Sequence, residues 1–259
     1  FGAALLFAVH PLGCQTVGWI SGIGYPLGTL FMLGGLNLIF LIQDWQWMTN
    51  PMGVLIAIMS YTFFQWMAVE AWFGTVGAVL ILLWLHQWPF AIIAGLFAIY
   101  QCFHTFKEAL DLRTKVFKEQ QMGQSTTFYP RKLIVVLKTL YYNLKLTFFP
   151  KRMGLYHTFC YHYEMPYVEY EDWYAWVGGL CTIGLGVGIF LGPPLVQLSC
   201  LWFVAYMGLF LNWITANQFV VDRYAWLPAA GVSLLAAAYL PSWAFWLIAG
   251  IAIMRLWSH

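Results

Sequence analysis

Long apolar runs, broken by short polar and tryptophan-rich stretches, set the pattern of this chain. Leu27 to Ile42 is the first clear run. It closes on Gln43-Asp44-Trp45-Gln46-Trp47, a boundary of the kind found where a helix leaves lipid for water. Pro51 to Ala68 and Ala71 to Leu85 follow, with Glu70 between them, and read as two short spans or one long broken one. Trp88 and Pro89 punctuate, and Phe90 to Phe103 comes next. Later runs are Leu133 to Phe149, Trp173 to Leu191, Leu195 to Ile214 and Ala225 to Trp257, the last long enough for two helices turning at Pro241. A membrane-crossing helix needs about 20 apolar residues. The pattern therefore predicts an all-α, polytopic membrane helix bundle with about 8–10 transmembrane helices and no internal repeat.

Charge sharpens this picture. Only 8% of the 259 residues are charged, and ten of the twelve Lys and Arg residues lie between Lys107 and Arg152. Arg223 and Arg255 are the other two. A soluble domain needs charge over its whole surface, so this clustering predicts an integral, multi-pass membrane protein with lipid as its partner and no nucleic acid. One membrane domain is expected over residues 1–259, with a polar basic loop and helix at 104–132 and an acidic, tyrosine-rich loop at 153–172. The run opens within an apolar stretch at Phe1, so a helix and a first loop are expected upstream. Five separated cysteines form no CxxC pair and predict no disulfide framework.

Candidate chemistry concentrates on one helix. Arg131, Lys138, Lys145 and Arg152 recur every seven residues. Seven residues are nearly two helical turns, so Arg131, Lys138 and Lys145 share a face, with Tyr141 and Tyr142 beside them. A lysine in hydrocarbon costs about 2.5 kcal/mol or more, so the face must meet headgroups, water or an anion. A tilted interfacial helix with snorkelling lysines is the plainer alternative. Glu70, an acid among apolar residues, is a candidate catalytic group. His10 before Pro11 reads first as a helix end. Asp222 and Arg223 read as a self-neutralising pair or as a phosphate contact. Tyr161, Tyr163, Tyr167, Tyr170 and Tyr174 suit sugar stacking or an interfacial belt. His157, Cys160 and His162 do not fit a zinc spacing, and no metal site is expected.

Two segments resemble the O-mannosyltransferases that carry many membrane helices followed by tetratricopeptide repeats, and their bacterial relatives. One is Leu6-Phe-Ala-Val-His10-Pro11, continuing through Val17-Gly-Trp19-Ile20-Ser21-Gly22. The other is Asp222-Arg223-Tyr224-Ala-Trp226-Leu227-Pro228-Ala-Ala-Gly231. Between them, Phe149-Pro150-Lys-Arg152-Met-Gly-Leu is similar to the Leu-Pro step after that family's central helix. The resemblance implies a glycosyltransferase C-like fold. It implies a polyprenyl-phosphate sugar as donor rather than a metal-bound nucleotide sugar. It also implies a carboxylate as general base, with cations holding the leaving phosphate. Arg131, Lys138, Lys145, Arg152 and Arg223 are then the donor-phosphate candidates. His10, Pro11, Asp222, Tyr224 and Pro228 are the structural motif.

The charged positions depart from that family. Cys14 and Gln15 stand where it has Thr-Glu, Ile23 to Tyr25 where it has Arg and an acid, Val69-Glu70 where it has Lys-Glu, and Tyr156 near an expected Asp. The family's catalytic acid belongs to a loop before the His-Pro helix. Two functional classes therefore stay open: a membrane glycosyltransferase, and a catalytically degenerate relative serving as scaffold or accessory subunit beside other membrane subunits.

Overall fold

The computed structural model describes residues 2–8, 10, 24–43, 50–68, 72–101, 103–104, 130–148, 173–208, 211 and 222–257. The regular secondary structure among these residues is all helical. The helices are α1 (Gly2–Ala8), α2 (Gly24–Gln43), α3 (Pro51–Met67), α4 (Trp72–Trp84) and α5 (Trp88–Gln101), then α6 (Pro130–Phe148), α7 (Trp173–Leu191), α8 (Pro194–Met207), α9 (Asp222–Tyr239) and α10 (Ser242–Trp257). The chain divides into two compact units, Val17–Ala109 and Phe1–Thr16 with Leu110–His259.

In the Val17–Ala109 unit, α3 packs on α2 and α5, and α4 packs on α5 and α2. The runs around Glu70 form two separate helices. Local chemistry fixes their ends. Asn50 caps α3, its side-chain oxygen accepting from the Met52 N–H at 3.0 Å, and Pro51 starts the helix where no N–H is needed. α4 ends in a Schellman turn. The Gln87 N–H donates to the Leu82 carbonyl and the His86 N–H to the Leu83 carbonyl. His86 takes the left-handed position of that turn, at φ 57°, where glycine is normally preferred.

In the other unit, α6 packs against α7 and α9, α8 against α7 and α9, and α1 against α9 and α10. From Val136 to Thr147 every residue of α6 is buried or half-buried, so α6 is the central helix of this unit. Glycines allow the closest approaches. A Cβ on Gly178 of α7 would collide with the Leu137 carbonyl oxygen of α6. A Cβ on Gly231 of α9 would lie 2.8 Å from the Ser199 carbonyl oxygen of α8. Small residues at such crossings are how helices gain dispersion contact where no hydrophobic effect drives them together.

The outward faces are apolar. Trp176, Leu180, Ile183, Val187, Phe190 and Leu191 form one exposed stripe along α7 at three- and four-residue spacing. α3, α5 and α10 carry comparable exposed apolar rows. Buried positions instead include Thr29, Gln65, Thr75, Gln101, Lys138, Thr139, Asn143, Thr147, Ser199 and Ser233. Trp173–Leu191 is long and apolar enough to cross a membrane, with a mean hydropathy of 1.7 and only 11% of its residues buried. The other apolar helical stretches found by the same test run 10–17 residues.

Replacing Gly178 by Val should force α7 off α6 and cost about 1–3 kcal/mol or more, read as a lowered thermal midpoint in lipid nanodiscs. His86→Gly should act oppositely, raising stability by about 0.5–1 kcal/mol in the same assay, because the left-handed backbone strains a side chain more than it strains glycine.

Candidate functional site

α6 carries two polar stripes on opposite sides. Lys138 and Lys145 differ by seven residues, so they point within about 20° of each other and lie roughly 10 Å apart along the axis. Arg131 falls on the same face by register; its side chain lies outside the described residues. Thr139, Asn143 and Thr147 form the second stripe at four-residue spacing, on the opposite side of the helix. The Asn143 amide donates to the Thr139 carbonyl at 2.9 Å, and the Thr147 hydroxyl donates to the Asn143 carbonyl at 2.8 Å. The sequence signal for this stripe was the i, i+4, i+8 spacing itself. It goes unnoticed beside the lysines because its members are short and uncharged.

The cationic face is enclosed. Lys138 is only 3% exposed, which does not fit the expectation of a lysine snorkelling outward from an interfacial helix. Lys145 is half-buried. Its ammonium sits 5.5 Å from the Tyr174 ring centroid and donates a long hydrogen bond to the Tyr174 hydroxyl at 3.5 Å. Tyr141 meets Tyr174 edge-on at 5.0 Å and Trp173 at 5.6 Å, and Trp173 meets Tyr174 at 4.3 Å. The start of α7 thus presents two rings, Trp173 and Tyr174, packed with Tyr141 of α6 beside a cation. An ammonium is attracted to such ring faces, and its remaining N–H donors suit oxygen acceptors such as phosphate.

The opposite stripe receives His10. The His10 Nε2 lies 2.9 Å from the Thr147 carbonyl oxygen. A carbonyl only accepts, so this nitrogen carries the proton and donates. Thr147 is among the last four residues of α6, whose carbonyls have no partner within the helix. His10 therefore caps α6, while its own N–H closes α1 on the Phe7 carbonyl at 3.3 Å.

Two of the segments that carry the family resemblance meet here. Phe7 stacks on Trp226 at 5.0 Å, joining the His-Pro segment to the Arg-Tyr-x-Trp-Leu-Pro segment. His10 reaches Thr147, two residues before Phe149. The indole N–H of Trp202 donates to the Leu227 carbonyl at 3.0 Å, beside Pro228, which is buried inside α9. Asp222, Arg223 and Tyr224 begin α9, with side chains outside the described residues. Glu70, Pro11 and Arg152 also lie outside them. So do His157, Cys160, His162 and the tyrosines from Tyr161 to Tyr170. Among the described residues no three of His, Cys, Asp and Glu gather as a metal site.

Comparison of the chain with protein-family models, curated proteins and solved structures returned no match.

Replacing His10 by Ala should leave the Thr147 carbonyl without its donor and cost about 1–3 kcal/mol, seen as a drop in thermal midpoint. His10→Gln, which keeps an N–H, should recover part of that loss. A double-mutant cycle on Phe7 and Trp226 should give a coupling of about 0.5–1.5 kcal/mol.

Proposed function

We propose that this chain is a polytopic membrane protein of glycosyltransferase C-like type whose α6 holds the phosphate of a polyprenyl-phosphate sugar. The observation that carries the reading is the enclosure of Lys138 and Lys145 on one face of a central helix, inside a unit whose outer helices present apolar stripes. Such stripes suit lipid as the surrounding solvent. A cation held away from water favours an anion, and a lipid-linked phosphate reaches such a site from within the bilayer. The contact between the His-Pro segment and the Arg-Tyr-x-Trp-Leu-Pro segment, and the bond from His10 to the end of α6, support the same reading. Trp173, Tyr174 and Tyr141 supply faces on which a sugar ring stacks.

In the catalytic form of this proposal, Lys145 and Lys138 stabilise the departing phosphate, and a carboxylate takes the acceptor hydroxyl's proton. A second reading, a non-catalytic relative retained as scaffold or accessory subunit of a larger membrane complex, is favoured by the sequence itself: Cys14, Gln15 and Val69 stand where the resembled family carries polar or charged residues.

Titrating the full chain in nanodiscs with polyprenyl-phosphate mannose tests the donor site. Lys145→Gln should weaken binding roughly 10-fold, as for loss of one charge-assisted contact of about 1.5–3 kcal/mol. Equal affinity in Lys145→Gln and in Lys138→Gln/Lys145→Gln would remove the donor site. Mannosyl transfer to an acceptor peptide by the wild-type chain, abolished in Lys138→Gln/Lys145→Gln, selects the enzyme. Binding without transfer selects the scaffold.

A further inference from the structure

The Val17–Ala109 unit hides polar side chains that the anion-site reading does not use. Tyr61 and Gln65 lie one turn apart on α3, and both are 0% exposed. They rest on the same neighbour: a Cβ built on Gly35 of α2 would lie 3.4 Å from Gln65 Nε2 and 3.4 Å from Tyr61 Cδ2. Phe90 of α5 meets the Tyr61 ring edge-on at 5.4 Å. Yet no protein group pairs with the Tyr61 hydroxyl or with either polar atom of the Gln65 amide. Thr29 Oγ1 and Gln101 Nε2 are buried and unmatched in the same unit, although Gln101 Oε1 accepts from the Thr75 hydroxyl at 2.9 Å.

An amide moved from water into hydrocarbon without a hydrogen bond costs about 4–8 kcal/mol. A leucine or methionine of similar size would fill the same space without that cost. A carboxamide offers two donors and two acceptor lone pairs, and a phenol offers one donor and an acceptor. Both side chains are neutral, and each can donate and accept. A hydroxyl group both donates and accepts, and so answers both side chains at once.

We infer that Gln65 and Tyr61, facing Gly35 across α2 and α3, form a binding site for a neutral hydroxyl group, supplied by an internal water or by a neutral polyol or saccharide. The inference is independent of the lysine face.

The test uses the full chain in nanodiscs. Tyr61→Phe removes only the phenolic oxygen, and Gln65→Met removes the amide at similar length. A bridging hydroxyl makes each variant lower the thermal midpoint by roughly 2–4 °C. An unchanged or raised midpoint in both variants overturns the proposal, because an apolar replacement for an orphaned polar group is neutral or stabilising. Two further arms separate the sources. With water as occupant, the ¹⁵N-labelled Gln65 side-chain amide exchanges quickly with D₂O despite its burial, and methyl α-D-mannopyranoside changes neither exchange nor midpoint. With a saccharide as occupant, the glycoside raises the wild-type midpoint and slows exchange, and Gln65→Met abolishes the rise. Slow exchange with no response to the glycoside contradicts both sources.

Discussion

The cost of placing an ammonium beside hydrocarbon orders this structure. A lysine at the centre of a lipid-exposed helix costs about 2.5–3.5 kcal/mol, and α6 carries Lys138 and Lys145 within an otherwise greasy sequence. Thr139, Asn143 and Thr147 add a second, uncharged polar stripe to the same helix. A helix polar on two sides has to be surrounded by protein. α7 and α9 pack against it, His10 caps its end, and the residues from Val136 to Thr147 are buried or half-buried. The neighbours then bear the contact with the surroundings, and the exposed rows on α7 and α10 are accordingly apolar.

Close backbone approach makes this enclosure achievable. Gly178 lets α7 reach the α6 backbone at Leu137, and the same contact brings Tyr174 over Lys145. Gly231 does the equivalent work between α9 and α8, where Trp202 also donates to α9. The Arg-Tyr-x-Trp-Leu-Pro-x-x-Gly segment is therefore a packing device in its second half: Trp226 holds α1, Leu227 and Gly231 hold α8. His10 adds a directional bond to Thr147 that sets the end of α1 against the end of α6. On one side of α6 the Asn143 and Thr147 side chains bond back along the helix, and on the other Lys145 meets Tyr174 of α7.

Much of the helical layout was legible because apolar runs and their punctuation are local. Trp173–Leu191 starts and stops where its run does, and the break at Pro241 separates α9 from α10. The run expected from Leu195 to Ile214 is helical from Pro194 to Met207, since Pro193-Pro194 sets its start and the remaining positions are largely outside the described residues. The lysine periodicity was legible, but the burial of Lys138 was not, because burial depends on partners distant in sequence. The Thr139–Asn143–Thr147 stripe and the Tyr61–Gln65 pair were overlooked for a related reason: uncharged polar residues barely alter hydropathy. That His10 caps a helix more than a hundred residues away follows from tertiary packing alone.

The account turns on an inverted amphipathicity, with polarity inward on α6 and apolar rows outward on α7. Spin labels placed singly at Leu180, Phe190 and Leu140, in the full chain reconstituted in liposomes, measure it directly through collision with oxygen and with a water-soluble nickel chelate. The account predicts high oxygen and low nickel accessibility at Leu180 and Phe190, and low accessibility to both at Leu140. Nickel accessibility at Leu180 equal to that of an aqueous control, or oxygen accessibility at Leu140 matching that at Leu180, would contradict it.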